Sequence, residues 1–218
     1  MTNIKEFNLL DVRKNSQIIN TLNKVYKLWG YEEVAPSVIN KIEILKATEV
    51  INQNELVSLV SNKALCLRPE MTTSIVKLIS TRLINKKRPL RLWNNGTIFV
   101  KKEGYKNVEL FKEKIQSGIE LIGYEDKYPE IEIFNILFDS IDNLKLKDNC
   151  KLKFLVSSTT LMDLILKKYT NKNYEKIKKI MIKLDQDNLN KLNIDNEEKI
   201  ILKKLIYTRG EPIEVINN

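Results

Sequence analysis

Residues 115–121 read Ile-Gln-Ser-Gly-Ile-Glu-Leu, a stretch in which apolar and polar side chains alternate. Successive side chains of a β-strand point to opposite faces, so the pattern predicts a strand over residues 115–122 whose polar face carries Gln116, Gly118 and Glu120. The glycine leaves a gap between an amide and a carboxylate, and such a gap can hold a small polar ligand. A solvent-facing strand with a glycine at a bulge is the alternative.

A second polar stretch, Leu67-Arg-Pro-Glu-Met-Thr72, is predicted to end one strand and to begin a helix. Thr72 and Thr73 are predicted to cap this helix, because threonine is favoured at helix N-termini. Exposed N–H groups at a helix start, together with a carboxylate, can hold a zwitterion. By itself, each of the two stretches is also compatible with a purely structural role.

Hydrophobic spacing predicts the elements around these stretches. A helix is predicted over residues 15–28, ended by Gly30, and a hairpin over residues 55–67. The other predicted segments are strands at 90–100 and 152–156, a lysine-rich loop at 101–114, and a helix bearing Ile131, Phe134, Leu137, Phe138 and Ile141. Because strands and helices are mixed without a regular βαβ rhythm, we predict an α+β fold with an antiparallel sheet flanked by helices.

The C-terminal quarter of the chain has a different composition. From residue 158 onward the apolar spacing is helical only, and Lys and Asn become more frequent. We therefore predict a mixed α/β core at residues 1–157 and a helical segment at residues 158–218.

The 218 residues include no histidine, which excludes Ser-His-Asp and Cys-His catalysis and every zinc site that needs a histidine ligand. Cys66 and Cys150 are the only cysteines, too few for a disulfide framework or a four-cysteine metal site within one chain. We predict two buried thiols in a reducing cytosol, and no metal.

The net charge of +9 comes from 37 Lys and Arg against 28 Asp and Glu. The lysines are mostly interleaved with Asp, Glu and Asn, and arginine is scarce, so a solvated lysine-rich surface is favoured over a nucleic-acid interface. No apolar run reaches the roughly 18 residues of a membrane helix, and the first residues lack the apolar region of a signal peptide. These features predict a cytoplasmic protein with no membrane partner.

Four segments, taken in order and with their approximate spacing, resemble the successive motifs of class II aminoacyl-tRNA synthetases of the histidyl type. They are Trp29-Gly-Tyr-Glu-Glu-Val34, Leu67-Arg-Pro-Glu-Met-Thr72, Pro89-Leu-Arg-Leu-Trp-Asn-Asn-Gly-Thr-Ile-Phe99 and Gln116-Ser-Gly-Ile-Glu-Leu-Ile-Gly123. The resemblance covers residues 9–166 well and the helical remainder loosely. It implies the class II synthetase-like fold.

The resemblance also implies a histidine-binding site. In that family, positions that match Glu70, Thr72 and Gln116 hold the α-amino group of histidine, and the position that matches Glu120 faces the imidazole. Carboxylate and amide oxygens suit an ammonium group, and a carboxylate opposite an imidazole N–H selects histidine over an apolar isostere.

Two departures from the family pattern affect the expected chemistry. Active synthetases have an α-phosphate-binding Arg and an adenine-contacting Glu at the positions occupied here by Val100 and Lys102. Without that Arg the adenylate lacks its main electrostatic clamp. The sequence given also stops at Asn218, before the family's histidine loop and third motif. We therefore predict no adenylation, no catalytic residue and no cofactor.

A synthetase-like fold that keeps the histidine-binding residues and lacks the ATP-binding ones resembles the family branch that comprises the regulatory subunits of short-form ATP phosphoribosyltransferase. This branch implies a homodimer within a hetero-octamer with the catalytic subunit, which needs the regulatory subunit for activity and is feedback-inhibited through it by L-histidine. The family's carboxylate-binding Arg and imidazole-packing Tyr lie beyond residue 218. Three alternatives are therefore open: histidine binds weakly, a partner completes the site, or histidine does not bind.

Two further alternatives remain open. A stand-alone histidine- or tRNA-binding synthetase paralogue is the alternative function, although the interleaved charges do not favour tRNA. Residues 15–39 correspond to the segment that forms the homodimer interface in the family, so the resemblance implies a dimer contact there. The alternative is that Tyr26 and Trp29 belong only to the core.

Overall fold

The structure is a computed structural model that describes residues 7–47, 53–103, 109–124, 128–148, 151–169, 173–208 and 210–217. The chain divides into two compact units, residues 1–152 and residues 153–218. The boundary predicted near residue 158 lies a few residues C-terminal to this division. Cys150 lies outside the described residues.

Unit 1 mixes helices with two small sheets. In chain order its elements are α1 (Leu9–Leu28), β1 (Glu32–Glu33), β2 (Ile39–Lys41), α2 (Ile42–Ala47), a 3-10 turn (Gln53–Glu55), β3 (Leu65–Leu67), α3 (Thr72–Arg82), β4 (Leu90–Glu103), β5 (Glu109–Ile122), α4 (Pro129–Asn143) and a second 3-10 turn (Leu146–Asp148).

The larger sheet has the order β1-β4-β5, with β1 parallel to β4 and β4 antiparallel to β5. The β4–β5 ladder runs from the pair Leu90 and Ile122 out to the pair Glu103 and Glu109. The predicted lysine-rich loop at 101–114 is therefore wrong, because most of it is strand. Backbone pairing in a two-stranded ribbon needs no apolar side chains. The outer part of the β4–β5 ribbon therefore carries lysines instead of the apolar, β-branched or aromatic residues that predict a strand.

Adjacent residues of β4 show that this sheet is covered on both faces. Trp93 is fully buried among Tyr26 of α1 and Ile136 of α4. Leu92, which points to the opposite face, packs with Ile75 of α3. The sheet is thus a middle layer, with α1 and α4 on one face and α3 on the other.

Helix α1 begins earlier than the predicted residue 15. The side chain of Asn8 caps it by accepting a 2.8 Å hydrogen bond from the backbone N–H of Asp11. Leu9 and Leu10 in its first turns are exposed, so the helical spacing of buried apolar residues, on which the prediction relied, does not extend to these turns. The predicted end is confirmed, since Gly30 adopts a positive φ of 77° directly after the helix.

The smaller sheet pairs β2 antiparallel to β3. The predicted hairpin over 55–67 is present in reduced form, as a single bridge between Ser58 and Cys66. Cys66 is a buried free thiol, as predicted, and burial raises its pKa.

The strand predicted at residues 152–156 is wrong, whereas the helix predicted to bear Ile131 to Ile141 is confirmed as α4. Residues 151–158 form no strand, and Leu155 and Val156 are exposed. Helix α4 is present, but it buries Ile136, Ser140 and Ile141. The other predicted apolar positions of α4 are 36–53% exposed: Ile131, Phe134, Leu137 and Phe138.

Unit 2 is helical, as its apolar spacing predicts. Its elements are α5 (Thr159–Tyr169), α6 (Tyr174–Lys183), α7 (Gln186–Asn190), α8 (Asn196–Tyr207) and α9 (Pro212–Asn217). One cluster of buried side chains holds α5 to α8 together: Leu166, Ile177, Ile180, Met181, Leu189, Leu192, Leu202 and Ile206.

Among the described residues, no helix combines the length and the apolarity that a membrane span requires. Within the same ranges, His, Cys, Asp and Glu side chains form no group of three or more that could bind a metal ion.

Candidate functional site

The polar face of β5 lies where the alternation predicts it. In the ladder, Gln116 pairs with Gly96, Gly118 with Asn94, and Glu120 with Leu92. Leu92 packs against α3, so this polar stripe faces the side of the sheet that α3 covers.

Glu70 caps the start of α3. The backbone N–H of Thr73 donates to both carboxylate oxygens of Glu70, at 3.0 and 3.1 Å. The predicted capping by Thr72 or Thr73 is therefore wrong, since the helix begins at Thr72 and a carboxylate fills the capping role. A carboxylate at this position also interacts favourably with the positive end of the helix dipole.

Three of the four predicted site residues meet at this helix start. The hydroxyl of Thr72 hydrogen-bonds the carboxylate of Glu120, and the charge of Glu70 acts on the same carboxylate. Burial is the main cause that raises the pKa of Glu120, the Thr72 hydrogen bond lowers it, and Glu70 raises it again. Two neighbouring carboxylates repel each other, so the pair favours a cation between them.

Gly118 opens the space beside these carboxylates. A Cβ built at Gly118 would meet no atom within 4 Å. Gly96, one pair further along the same face, is closed instead, because a Cβ there would lie 2.3 Å from Nη2 of Arg68. The open part of the stripe is therefore centred on Gly118.

Arg68 fixes the segment that carries Glu70. Its side chain is buried, and it donates from Nε to the carbonyl of Thr97 at 2.8 Å and from Nη1 to the carbonyl of Pro36 at 3.1 Å. The backbone carbonyl of Arg68 accepts a 2.9 Å bond from the N–H of Phe99. These bonds tie the start of α3 to β4, next to the polar face.

Gln116 lies on the same face, on the other side of Gly118 from Glu120. Its Oε1 is buried without a hydrogen-bond partner, and so is Oδ1 of Asn94, opposite Gly118. Buried oxygens without donors are uncommon in folded proteins. The structure therefore brings Glu70, Thr72 and Glu120 into one cluster and places Gln116 beside the same opening.

Sequence reasoning missed Asn94 and Arg68. Asn94 directly follows the apolar pair Leu92-Trp93, and Arg68 directly follows the strand Leu65–Leu67, so a polar residue at the end of an apolar run was the available signal. Val100 is part of β4 and pairs with Lys112. The side chain of Lys102 lies outside the part that the structure describes.

Residues 3–218 of this chain match the model of the family described as histidyl-tRNA synthetase. The chain belongs to the histidyl-tRNA synthetase family. Members of this family share the predicted α+β, class II synthetase-like fold, which is confirmed.

Two of the similar curated proteins carry the name ATP phosphoribosyltransferase regulatory subunit. The one from Prochlorococcus marinus subsp. pastoris is 63% identical over 216 residues, which cover 99% of this chain and 56% of the relative. The one from Synechococcus sp. is 34% identical over 214 residues, which cover 98% of this chain and 55% of the relative. These names confirm the resemblance to the regulatory-subunit branch, and the chain spans about half the length of the curated relatives it matches.

A solved structure from Bacillus halodurans, described as an ATP phosphoribosyltransferase regulatory subunit/histidyl-tRNA synthetase, matches with a TM-score of 0.82. The match covers 99% of this chain and 57% of the other, at 18% identity. At that identity the likeness establishes the fold alone.

Proposed function

We propose that this family member acts as a non-catalytic regulatory subunit of short-form ATP phosphoribosyltransferase. The observation that carries the proposal is the cluster of Glu70, Thr72 and Glu120 beside the opening at Gly118. Carboxylates next to an open space suit an amino acid with a cationic group, and the relatives' names supply the regulatory context.

L-Histidine is the proposed ligand of this face. Its α-ammonium group would lie near Glu70, Thr72 and Gln116, with the imidazole N–H toward Glu120. An apolar isostere of histidine offers no N–H to the half-buried carboxylate of Glu120, so the site discriminates against such ligands. Binding would be coupled to the catalytic subunit by a free energy of typically about 1–3 kcal/mol.

The absence of a catalytic role is part of the same proposal. Val100 has no charge with which to hold a phosphate where active synthetases have an Arg. Histidine-dependent exchange of pyrophosphate into ATP tests this part, and exchange above background would contradict it.

The direct test is phosphoribosyl transfer to ATP by the short catalytic subunit from the same organism, with and without this chain, across a histidine titration. We expect the chain to activate the transfer and histidine to reverse the activation. Glu120→Gln should weaken the response to histidine, whereas Glu130→Gln, an exposed position on α4, should leave it unchanged. No activation by a folded chain would refute the regulatory proposal for these residues.

The proposed assembly is a homodimer within a hetero-octamer. Tyr26 belongs to the core, with its ring centroid 6.0 Å from that of Trp93. Exposed apolar side chains of α1, including Leu9 and Leu28, are the better candidates for the dimer contact. The mass of the chain in solution, measured by light scattering, distinguishes a dimer from a monomer.

One observation favours the alternative of a stand-alone paralogue that binds tRNA. A 330 Å³ cavity in unit 2 is lined by Lys176, Lys179, Lys183 and Lys191. Lysines in a concave surface attract phosphate groups. Salt-sensitive filter binding specific to tRNA would favour this alternative, and its absence would leave the lysines as a solvated surface.

A further inference from the structure

The described side chains include four buried polar atoms that lack a hydrogen-bond partner, and all four lie in the β4–β5 ladder. Trp93 and Asn95 project from the face that packs on α1 and α4, whereas Asn94 and Gln116 project from the face that packs on α3. The two pairs differ in chemistry, and this difference carries the inference.

On the α1 side, the pair consists of a donor and an acceptor. Nε1 of Trp93 needs an acceptor and Oδ1 of Asn95 needs a donor. One buried water that accepts from the first and donates to the second satisfies both atoms. This pair therefore does not require a ligand.

On the α3 side, both atoms are acceptors. Oδ1 of Asn94 and Oε1 of Gln116 each need a donor. A group that serves both oxygens needs at least two donors: a water molecule has two, and an ammonium group has three. The nearby carboxylates of Glu70 and Glu120 favour such a cation over a neutral water molecule.

The position of Asn94 agrees with a shared donor. Asn94 lies directly opposite Gly118 and diagonally opposite Gln116, and diagonal partners in a ladder are about 7–8 Å apart at most. The Nδ2 group of Asn94 donates to the carbonyl of Val34, on the β1 side. Because the nitrogen and the oxygen of the amide lie on opposite sides of Cγ, the buried Oδ1 is turned away from Val34, to the side on which Gly118 of β5 pairs with Asn94.

We propose that Asn94 is a ligand-binding residue whose Oδ1, together with Oε1 of Gln116, accepts hydrogen bonds from the α-ammonium group of the bound amino acid. The proposal rests on the proposed function for the location of the site. It assigns a specificity role to Asn94, which lies in the segment Pro89–Phe99 but is not among the histidine-binding positions that the resemblance implies. Its consequence is that Asn94 distinguishes ligands by their amino group rather than by their imidazole.

The experiment compares two ligands that differ only in that group, L-histidine and imidazole-4-propionate, by titration calorimetry on the full 218-residue chain. The wild type should bind histidine at least about tenfold more tightly, the usual effect of hydrogen bonds to a charged group. Asn94→Leu should abolish most of this preference. Asn94→Asp retains the acceptor oxygen and should retain the preference.

Asn95→Leu is the matched control. Asn95 is the next residue, is a half-buried amide whose oxygen is also unpartnered, and points to the other face. It should leave the preference for histidine unchanged. Equal losses of affinity for both ligands in Asn94→Leu, or the same loss of preference in Asn95→Leu, would show a structural role and overturn the proposal.

The outcomes separate this proposal from the proposed function. Histidine binding that Asn94→Leu leaves unchanged refutes the role of Asn94 and leaves the histidine site intact. If the wild type prefers another amino acid over its deamino analogue and Asn94→Leu removes that preference, the role of Asn94 stands and histidine is the wrong ligand. Failure of the wild type to bind any amino acid overturns both the role of Asn94 and the histidine site.

Discussion

The hydroxyl of Thr72, in the first turn of α3, hydrogen-bonds the carboxylate of Glu120 on β5. This contact joins two sequence segments that are almost fifty residues apart, and it places Glu120 near the capping carboxylate of Glu70. Without a ligand, the arrangement holds two carboxylates close together at a partly buried position, which is unfavourable for stability. Such a site binds a cation favourably, because the cation offsets the repulsion between the two carboxylates.

Glu120→Gln should therefore make the ligand-free chain more stable at pH 7 while weakening histidine binding. The pKa of Glu120 is raised from its usual 4.5, mainly by burial, so the folded chain binds this proton more tightly than the unfolded chain. Ionisation of Glu120 then lowers the free energy of unfolding as the pH rises above 4.5. Thermal unfolding should show the variant melting about 1–3 °C higher at pH 7.

The difference between Glu120→Gln and the wild type should shrink as the pH falls below 4.5, because the wild-type carboxyl is then protonated in both states. A variant that is less stable than the wild type at neutral pH would show that the ionised carboxylate stabilises the fold, contrary to this account.

The two glycines of the polar face should respond in opposite ways to alanine. Gly118→Ala places a methyl group in open space, so the stability of the fold should be unchanged or higher by about 0.4–1 kcal/mol. The same methyl group should weaken ligand binding, because it occupies the space proposed for the ligand. Gly96→Ala places the methyl group 2.3 Å from Nη2 of Arg68, which its hydrogen bonds hold in place. That change should cost about 1–3 kcal/mol. Urea unfolding measures both, and calorimetry measures the loss of binding.

Equal destabilisation by the two alanines would mean that the space beside Gly118 is not open in solution. Retained histidine binding in a folded Gly118→Ala chain would place the ligand elsewhere.

Glu132 should contribute a stability that disappears in acid. Both oxygens of Glu132 accept from Arg91 at 2.8 Å, and the hydroxyl of Tyr31 donates to the first oxygen at 2.9 Å. The guanidinium of Arg91 is the main cause that lowers the pKa of Glu132 below its usual 4.5. The ion pair therefore stabilises the fold above pH 4.5 and is lost as the pH falls further.

Glu132→Gln should lower the free energy of unfolding by about 1–2 kcal/mol at pH 7, since the 15% exposed carboxylate is only partly screened by water. The loss should vanish near the acid end of a pH series of urea unfolding curves. Glu130→Gln, on the same turn of α4 but exposed, is the matched control and should have little effect at any pH.

The sequence was sufficient for the polar face of β5 because alternation has a strict period of two. Once residues 115–121 are a strand, the positions of Gln116, Gly118 and Glu120 on one face follow. Their proximity to Glu70 and Thr72 is not visible in any local pattern. Only the resemblance to the synthetase motifs joined the two segments, and the structure shows the contact between Thr72 and Glu120.

Other features could not be read locally because they depend on long-range packing. The apolar stripe of α4 does not match its buried side, since Ile136 packs under Trp93 while Phe134 and Phe138 stack on each other, 36% and 40% exposed. The stretch 152–156 has the composition of a strand, yet it belongs to neither of the sheets that the described residues form. Composition indicates what a segment favours, and pairing decides what it forms.

The core of unit 2 should be selectively destabilised by truncation of Leu202. This side chain is fully buried on α8 among the apolar side chains of α5 to α7, so Leu202→Ala should cost about 2–5 kcal/mol. Ile200, 66% exposed on the same helix, is the matched control, and Ile200→Ala should cost less than about 1 kcal/mol.

Both tryptophans, Trp29 and Trp93, belong to unit 1, so their fluorescence reports on unit 1 while far-ultraviolet circular dichroism also reports on the helices of unit 2. In urea, Leu202→Ala should shift the dichroism transition to lower denaturant and leave the fluorescence transition in place. A parallel shift of both signals would mean that the two units unfold as one cooperative body, because a loss confined to unit 2 cannot otherwise reach Trp93.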